Sequence, residues 1–339
     1  MITIVAFLIL IGVLIVIHEG GHFLVARASG IGVVEFAVGF GRRLLSVTHR
    51  GTRYAINLLP LGGYVMLAGM DRTVPQTPDS FYLRPLWARF VTILAGPVAN
   101  YLLAVVLFAW VLAGWGVATV PGPVIGQVLP GYPAAAAGIR PGDRILAIDG
   151  HRITSWNQIS VLEGRIGSSP MTVLLERSGH DLTVTVTPVR IPGAPGPEMG
   201  VTAAVRYQRL SPAVALSQGW TEAWAAIAAT AAALWGAAAH GAAPPLVGVV
   251  GIASLAGQSL AVGLSQFIFF AGILSVNLAL FNLLPIPPLD GSRLLFIAVE
   301  AIRRRPLSRN LEAAVNAVGF YLLIAAAMVL AVHDVTGRL

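Results

Sequence analysis

Residues 2 to 17 carry no charged side chain, and the next five are His18-Glu19-Gly20-Gly21-His22. An apolar stretch of this length is a candidate membrane span, since a bilayer core takes about 20 apolar residues of helix. Ionisable groups at the end of such a span are costly unless they face an interior cavity and act there. The pattern is H-E-x-x-H. Positions four apart share one helix face, so both imidazoles can reach one ion. Glu19 falls beside them, where a carboxylate can take a proton from metal-activated water. Sixteen steps at 1.5 Å put His18 about 24 Å into a core of about 30 Å, nearer its far face. A polar cleft must bring water to that depth.

Three more apolar runs cover roughly 91–120, 260–284 and 313–332. The first run reaches Arg27 with no basic residue ahead of it, so it reads as a retained span rather than a cleaved secretory signal. The expected architecture is a polytopic α-helical membrane protein of about four transmembrane helices. Its expected divisions are 1–120, 121–210, 211–259 and 260–339. Hydrophobic residues make up 56% of the 339 and charged residues 11%, which excludes disorder and a wholly water-soluble globule. All 22 basic residues are Arg and there is no Cys, so lysine and thiol catalysis, thiolate metal sites and disulfides are excluded.

Sidedness follows from the arginines. Eight lie between Arg27 and Arg89 against the acids Glu35, Asp71 and Asp79, and Arg303, Arg304, Arg305 and Arg309 form a second group. Positive-inside bias places both groups in the cytoplasm and both termini outside it. Because these arginines hug span ends, no nucleic-acid partner is expected. The Ala-rich stretch 213–239, with Trp220, Trp224 and Trp235, would on its own reverse that bias if it crossed. It therefore reads as an interfacial helix, with a paired crossing together with 245–260 left open.

A catalytic zinc normally takes three protein ligands. The run Asn282-Leu-Leu-Pro-Ile-Pro-Pro-Leu-Asp290-Gly291 breaks the third span and offers Asp290 as the third. With that span running inward, Asp290 reaches the depth of the histidines. Helix capping by Asp290 is compatible with ligation. No second intramembrane Asp supports an aspartyl pair, and no intramembrane His is left over for a serine enzyme. His49, His151, His180, His240 and His333 read as solvated, and Glu300 as a surface partner of Arg303 and Arg304.

Residues 121–210 alternate short strands and turns with ordinary polarity. Within them, Pro133 to Gly138 followed by Arg140-Pro-Gly-Asp-Arg-Ile-Leu-Ala-Ile-Asp-Gly150 resembles an α+β PDZ domain in circularly permuted form. The resemblance assigns the peptide-capturing loop to Gly122, Val124 and Ile125. A passive spacer is the other reading of this insert.

Taken together, these motifs resemble the site-2 protease family of intramembrane zinc metalloproteases, of the bacterial regulator-of-sigma-E protease type. They include Glu35 to Gly41, Leu61-Gly62-Gly63-Tyr64-Val65, Leu94 to Asn100, and Asn282 to Gly291. The resemblance implies one Zn2+ on His18, His22 and Asp290, Glu19 as general base, and Asn282 beside the scissile bond. It implies that Gly62 and Gly63 belong to a membrane-associated β-hairpin that pairs with an extended substrate. It further implies a bacterial inner-membrane enzyme whose partners are the lipid bilayer and single-span proteins already cut outside the cytoplasm, such as anti-sigma factors or remnant signal peptides. A peptide ligand for the PDZ insert is also implied. Two departures stand out. Val249 replaces a family Pro in the segment Leu246 to Ile252, and only one PDZ-like insert is present. Against proteolysis stand a membrane-anchored PDZ scaffold, disfavoured by four intact site residues, and a metal transporter, disfavoured by a single ligand cluster.

Overall fold

The computed structural model describes residues 2–70, 76–190, 196–241 and 247–336. Asp71, Arg72 and Leu246 lie outside the described residues. The chain forms two compact units, Met1–Ala113 with Ser211–Leu339, and Gly114–Leu210.

In the first unit, helix α1 (Ile2–Ala28) is followed by two long strands, β1 (Val33–His49) and β2 (Thr52–Leu67), and by helix α2 (Leu86–Gly114). Both strands bend, so their antiparallel pairing builds more than a ribbon. Residues 33–38 pair with 63–67 on one side and with 53–56 on the other, and 53–57 pair again with 43–48. Segment 63–67 is therefore an edge strand. The buried carboxylate of Glu35 accepts from Arg43, Arg53 and the Tyr64 hydroxyl, tying the strand segments of this sheet together. These partners hold its carboxyl below the usual carboxylate range despite burial.

The insert holds β3 (Val117–Thr119), β4 (Ile125–Val128), α3 (Pro133–Ala136), β5 (Arg144–Ile148), β6 (His151–Arg152), α4 (Trp156–Ile166), β7 (Met171–Arg177) and β8 (His180–Val186). It ends with β9 (Val189–Arg190), β10 (Pro197–Glu198), β11 (Val201–Ala203) and β12 (Arg206–Gln208). One sheet has the order β6-β5-β7-β8, while β4 pairs with β11 and β3 with β12. Alternation along β7 sends Met171, Val173 and Leu175 into one core with Ile125, Ile145, Ile148 and Ile159.

The chain then returns to the first unit through α5 (Pro212–Ala239), α6 (Val249–Val262), α7 (Leu264–Leu283), α8 (Asp290–Arg303) and α9 (Arg309–Thr336). Among the described residues, five helices are long and apolar enough to cross a membrane: α1, α2, α5, α7 and α9. The sequence led to four, with 213–239 lying in the interface. The difference is α5, whose small residues let it pack alongside other helices. A side chain at Gly219 would meet the Val105 carbonyl at 2.6 Å, and Trp220 packs edge-on to Tyr101 at 5.0 Å. Ala223 is buried with Ala104, Val105, Phe108 and Val276, and Thr230 donates to Asn277. Such close, small-residue contact is how helices associate in lipid.

Candidate metal centre and active site

Helix α1 carries His18 and His22 one turn apart, and α8 begins at Asp290. Three ligand-capable atoms converge: the two Nε2 atoms lie 3.2 Å apart, and Asp290 Oδ2 is 3.1 Å from one and 3.2 Å from the other. Donors at about 2.0–2.1 Å from a tetrahedral zinc stand about 3.3 Å from one another. The three separations thus match one face of such a tetrahedron.

Glycine makes this approach possible. A Cβ at Gly96 of α2 would lie 2.3 Å from His22 Nε2 and 2.8 Å from His18 Nε2. One at Gly21 would lie 2.4 Å from the Ala95 carbonyl, so α1 and α2 meet backbone to backbone. The outer ring nitrogens are also held. His22 Nδ1 donates to the Thr92 carbonyl at 2.8 Å, and the Asn100 amide lies 3.2 Å from His18 Nδ1. A histidine that binds metal through Nε2 keeps its proton on Nδ1 and needs an acceptor there. Asn100 Oδ1, buried and otherwise without a partner, supplies one when the amide turns it toward the ring. Ser275 donates to the Asn100 carbonyl and fixes that turn of α2 against α7.

Glu19 lies between the histidines and the edge strand. A Cβ at Gly63 would be 3.6 Å from Glu19 Cγ, and the Val65 main chain faces its carboxylate. Gly62 has φ +115°, a left-handed conformation suited to Gly, with the Phe40 ring packed on its open side. Asp290 is positioned by its neighbour: a Cβ at Gly291 would lie 2.2 Å from the Leu284 carbonyl, so α8 starts hard against the end of α7. The same contact brings the turn carrying Asn282 beside Asp290. The Asn282 side chain itself makes no hydrogen bond among the described residues.

The structure thus unites His18, Glu19, His22, Asp290, Gly62 and Gly63. It adds Gly96, Thr92 and Asn100, which the sequence reading did not assign to the site. Their signal lay in Leu94-Ala95-Gly96-Pro97-Val98-Ala99-Asn100, since a Gly and an Asn inside an apolar helix imply close packing and a polar partner.

Two readings need correction. In the loop assigned to peptide capture, Val124 and Ile125 have their main chains already engaged within the insert. Ile125 is a core residue whose N–H donates to the Asp143 carbonyl and whose carbonyl accepts from Gly142, while the Val124 carbonyl accepts from Ala204. Glu300 is paired with Arg89 of α2 rather than with Arg303 or Arg304. The five remaining histidines are exposed.

A His-Glu-His helix with both histidines buried, a carboxylate as the third ligand at tetrahedral spacing and a neighbouring edge strand define a metal-dependent peptide hydrolase in a bundle of apolar helices. Consistent with this, the profile of the family described as Peptidase family M50 matches residues 6–326. The chain belongs to that family, and it is a zinc metalloprotease. The metalloprotease MmpA of Caulobacter vibrioides is 34% identical over 96% of this chain and 93% of its own length. Zinc metalloprotease RasP of Geobacillus kaustophilus is 30% identical over 98% and 97%. Among solved structures, the PDZ domain of an SdrC-like protein from Listeria monocytogenes is similar over 25% of this chain and 90% of its own. Its TM-score is 0.23 at 20% identity, too slight a likeness to define a fold.

Proposed function

We propose that this enzyme is an intramembrane endopeptidase that holds one zinc on His18, His22 and Asp290. It cuts a peptide bond inside single-span membrane proteins already shortened outside the cytoplasm. The observation that carries the reading is the ligand triangle of 3.1–3.2 Å at the end of an apolar helix, with Glu19 beside it. Zinc, when bound, supplies a Lewis acid for the scissile carbonyl and lowers the pKa of water.

The chain's own residues do the rest. Glu19 accepts the proton of the attacking water and returns it to the leaving nitrogen. Asn100 and the Thr92 carbonyl hold both imidazoles in the tautomer that leaves Nε2 free. Asn282, in the last turn of α7 and eight positions before Asp290, donates to the substrate carbonyl as charge develops on its oxygen. A peptide bond within a helix is shielded by its own hydrogen bonds, so the substrate has to unwind first. The free edge at Gly63 to Leu67 offers main-chain partners for the extended segment.

In this reading α5 crosses the membrane, α6 turns back within it, and the two arginine groups stay cytoplasmic in a bacterial inner membrane, with both termini outside. The insert is a PDZ domain outside the cytoplasm. Anti-sigma factors and remnant signal peptides are the substrate class.

The deciding experiment is cleavage of a single-span reporter by purified wild type and Glu19→Gln, with zinc content measured on both. Cleavage by wild type alone, with zinc retained in the variant, is the expected result. Equal cleavage by both removes Glu19 from the chemistry. A wild type that lacks stoichiometric zinc and cleaves nothing reduces the chain to a scaffold.

A further inference from the structure

A cavity of about 410 Å³ lies along the edge strand, lined by Tyr64 to Leu67 of β2 and by residues of α2, α8 and α9. Its size suits a ligand of a few residues. Residue 64 follows Gly63, which packs on Glu19, so the strand runs from the reacting centre directly into this cavity.

The lining is rich in hydrogen-bond donors. Arg89 has a side chain only 4% exposed, and its guanidinium pairs with Glu300, yet its Nε is buried without a partner. Glu312 accepts from the Tyr82 hydroxyl at 2.6 Å. The two acids of the lining are therefore engaged. Arg293 and Arg309 have no carboxylate within ion-pair distance among the described residues. Among the described residues Arg293 reaches only the Met70 sulfur, while Arg309 lies over the Tyr82 ring at 4.5 Å and donates through both terminal nitrogens to the neutral Gln76 amide oxygen. Two guanidinium charges that no described carboxylate neutralises, one of them held by a neutral amide, and an unpaired Nε around one void call for an acceptor-rich, negatively charged group.

We propose that this cavity is a specificity subsite that receives an acidic side chain of the substrate, about two to five residues to the cytoplasmic side of the scissile bond. The spacing follows from about 3.3 Å per residue along an added strand between Gly63 and Leu67. The inference rests on the endopeptidase reading above. Continuity with the edge strand beside Glu19 favours a substrate side chain over a lipid phosphate, which would need the same arginines.

The test uses the full-length enzyme in neutral phosphatidylcholine vesicles and in vesicles containing anionic lipid. Three single-span reporters carry Asp, Ala or Lys at those four positions. Wild type is expected to favour Asp over Lys by about tenfold in kcat/KM, chiefly through KM. Arg293→Gln with Arg309→Gln collapses the ratio, and Arg293→Glu turns it toward Lys, with zinc content reporting that the site is intact. The inversion cannot arise from a merely structural defect. Equal kcat/KM for all three reporters, with cleavage intact, overturns the subsite and leaves the protease standing. A loss in the Arg variants that is uniform across reporters and follows anionic lipid content assigns the cavity to a lipid headgroup and also overturns it. If no reporter is cut by wild type, the endopeptidase reading falls and the subsite with it.

Discussion

Two aspartates, one in each unit, are answered in opposite ways. In the insert, Asp143 is 1% exposed and fully answered: Arg177 donates to both of its oxygens at 2.7 Å, and the Arg140 N–H adds a third bond at 2.8 Å. In the other unit, Asp290 meets two imidazoles and, among the described residues, no guanidinium. An acid closed by arginine has its charge neutralised within the protein. One that faces two ring nitrogens at 3.1–3.2 Å shares with them the geometry of a cation's ligands. The first arrangement holds a loop in place, and the second is the one we propose for zinc.

The contrast breaks if the two aspartates respond alike to the same change. Asp290→Asn is expected to lower zinc affinity by at least about 100-fold, beyond the usual range for losing an outer partner, and to abolish cleavage. Zinc retention by dialysis against a graded chelator measures it. Gly96→Ala comes next, because its methyl would stand 2.3 Å from His22 Nε2 and must push the ring away. The expected loss of zinc affinity is about tenfold to 100-fold, with the helices still folded by circular dichroism. Wild-type affinity in Gly96→Ala would mean that the imidazoles do not need this close approach. Asp143→Asn should leave zinc untouched and destabilise the insert by about 3 kcal/mol, as breaking a buried pair does. Hydrogen exchange of residues 114–210 in the whole protein would show it.

How much of this was legible in the sequence depended on how local each relation was. His18, Glu19 and His22 lie within five residues of one helix, so spacing alone brought them together. Asp290 was reachable because prolines and hydropathy fixed its depth. Gly96 and Asn100 act across a helix–helix contact, and nothing in their immediate neighbours states which helix they face. The partner of Glu300 is 211 positions away, whereas helical spacing pointed to Arg303 and Arg304. Ile125 was misassigned for the same reason: whether a strand has a free edge depends on which segments flank it, and Asp143 and Gly142 had already taken its main chain. Segment 213–239 lies near the hydropathy borderline, so packing of its small residues, which composition does not show, decides where it lies.

A second buried acid in the insert sharpens the comparison through pH. Glu163 accepts the Met199 N–H at 2.8 Å and has no cationic partner among the described residues, and burial pushes its carboxyl from 4.5 up to about 7. A carboxyl raised on folding stabilises the fold fully below its unfolded value, and that stability is lost as pH rises from 4.5 to about 7. Asp143 works the other way: its carboxyl is held below 3.8 by Arg177 and the Arg140 N–H, so its contribution disappears as pH falls below that value. The insert should therefore be most protected near pH 4–5 and lose on the order of 3 kcal/mol by pH 8. Glu163→Gln should flatten the alkaline limb and leave the acid limb in place. An unchanged alkaline limb in that variant would move the titration to another group.

The smallest effect tests whether α5 belongs to the bundle. Thr230 donates to Asn277 at 2.9 Å, joining α5 to α7 in the turn of α7 that follows Ser275. A hydrogen bond between polar side chains of membrane helices contributes about 0.6 kcal/mol on average. Thr230→Val keeps the shape and removes the donor, so unfolding in mixed micelles should shift by about that amount. Pairing it with Asn277→Leu separates a true contact from two independent losses, since the double variant should then cost less than the sum. A helix lying in the interface would leave Thr230 hydrated, and the two substitutions would add. Non-additivity would instead hold α5 against the helix that leads to Asp290, so that a change in α5 reaches the metal centre through α7 as well as through α2.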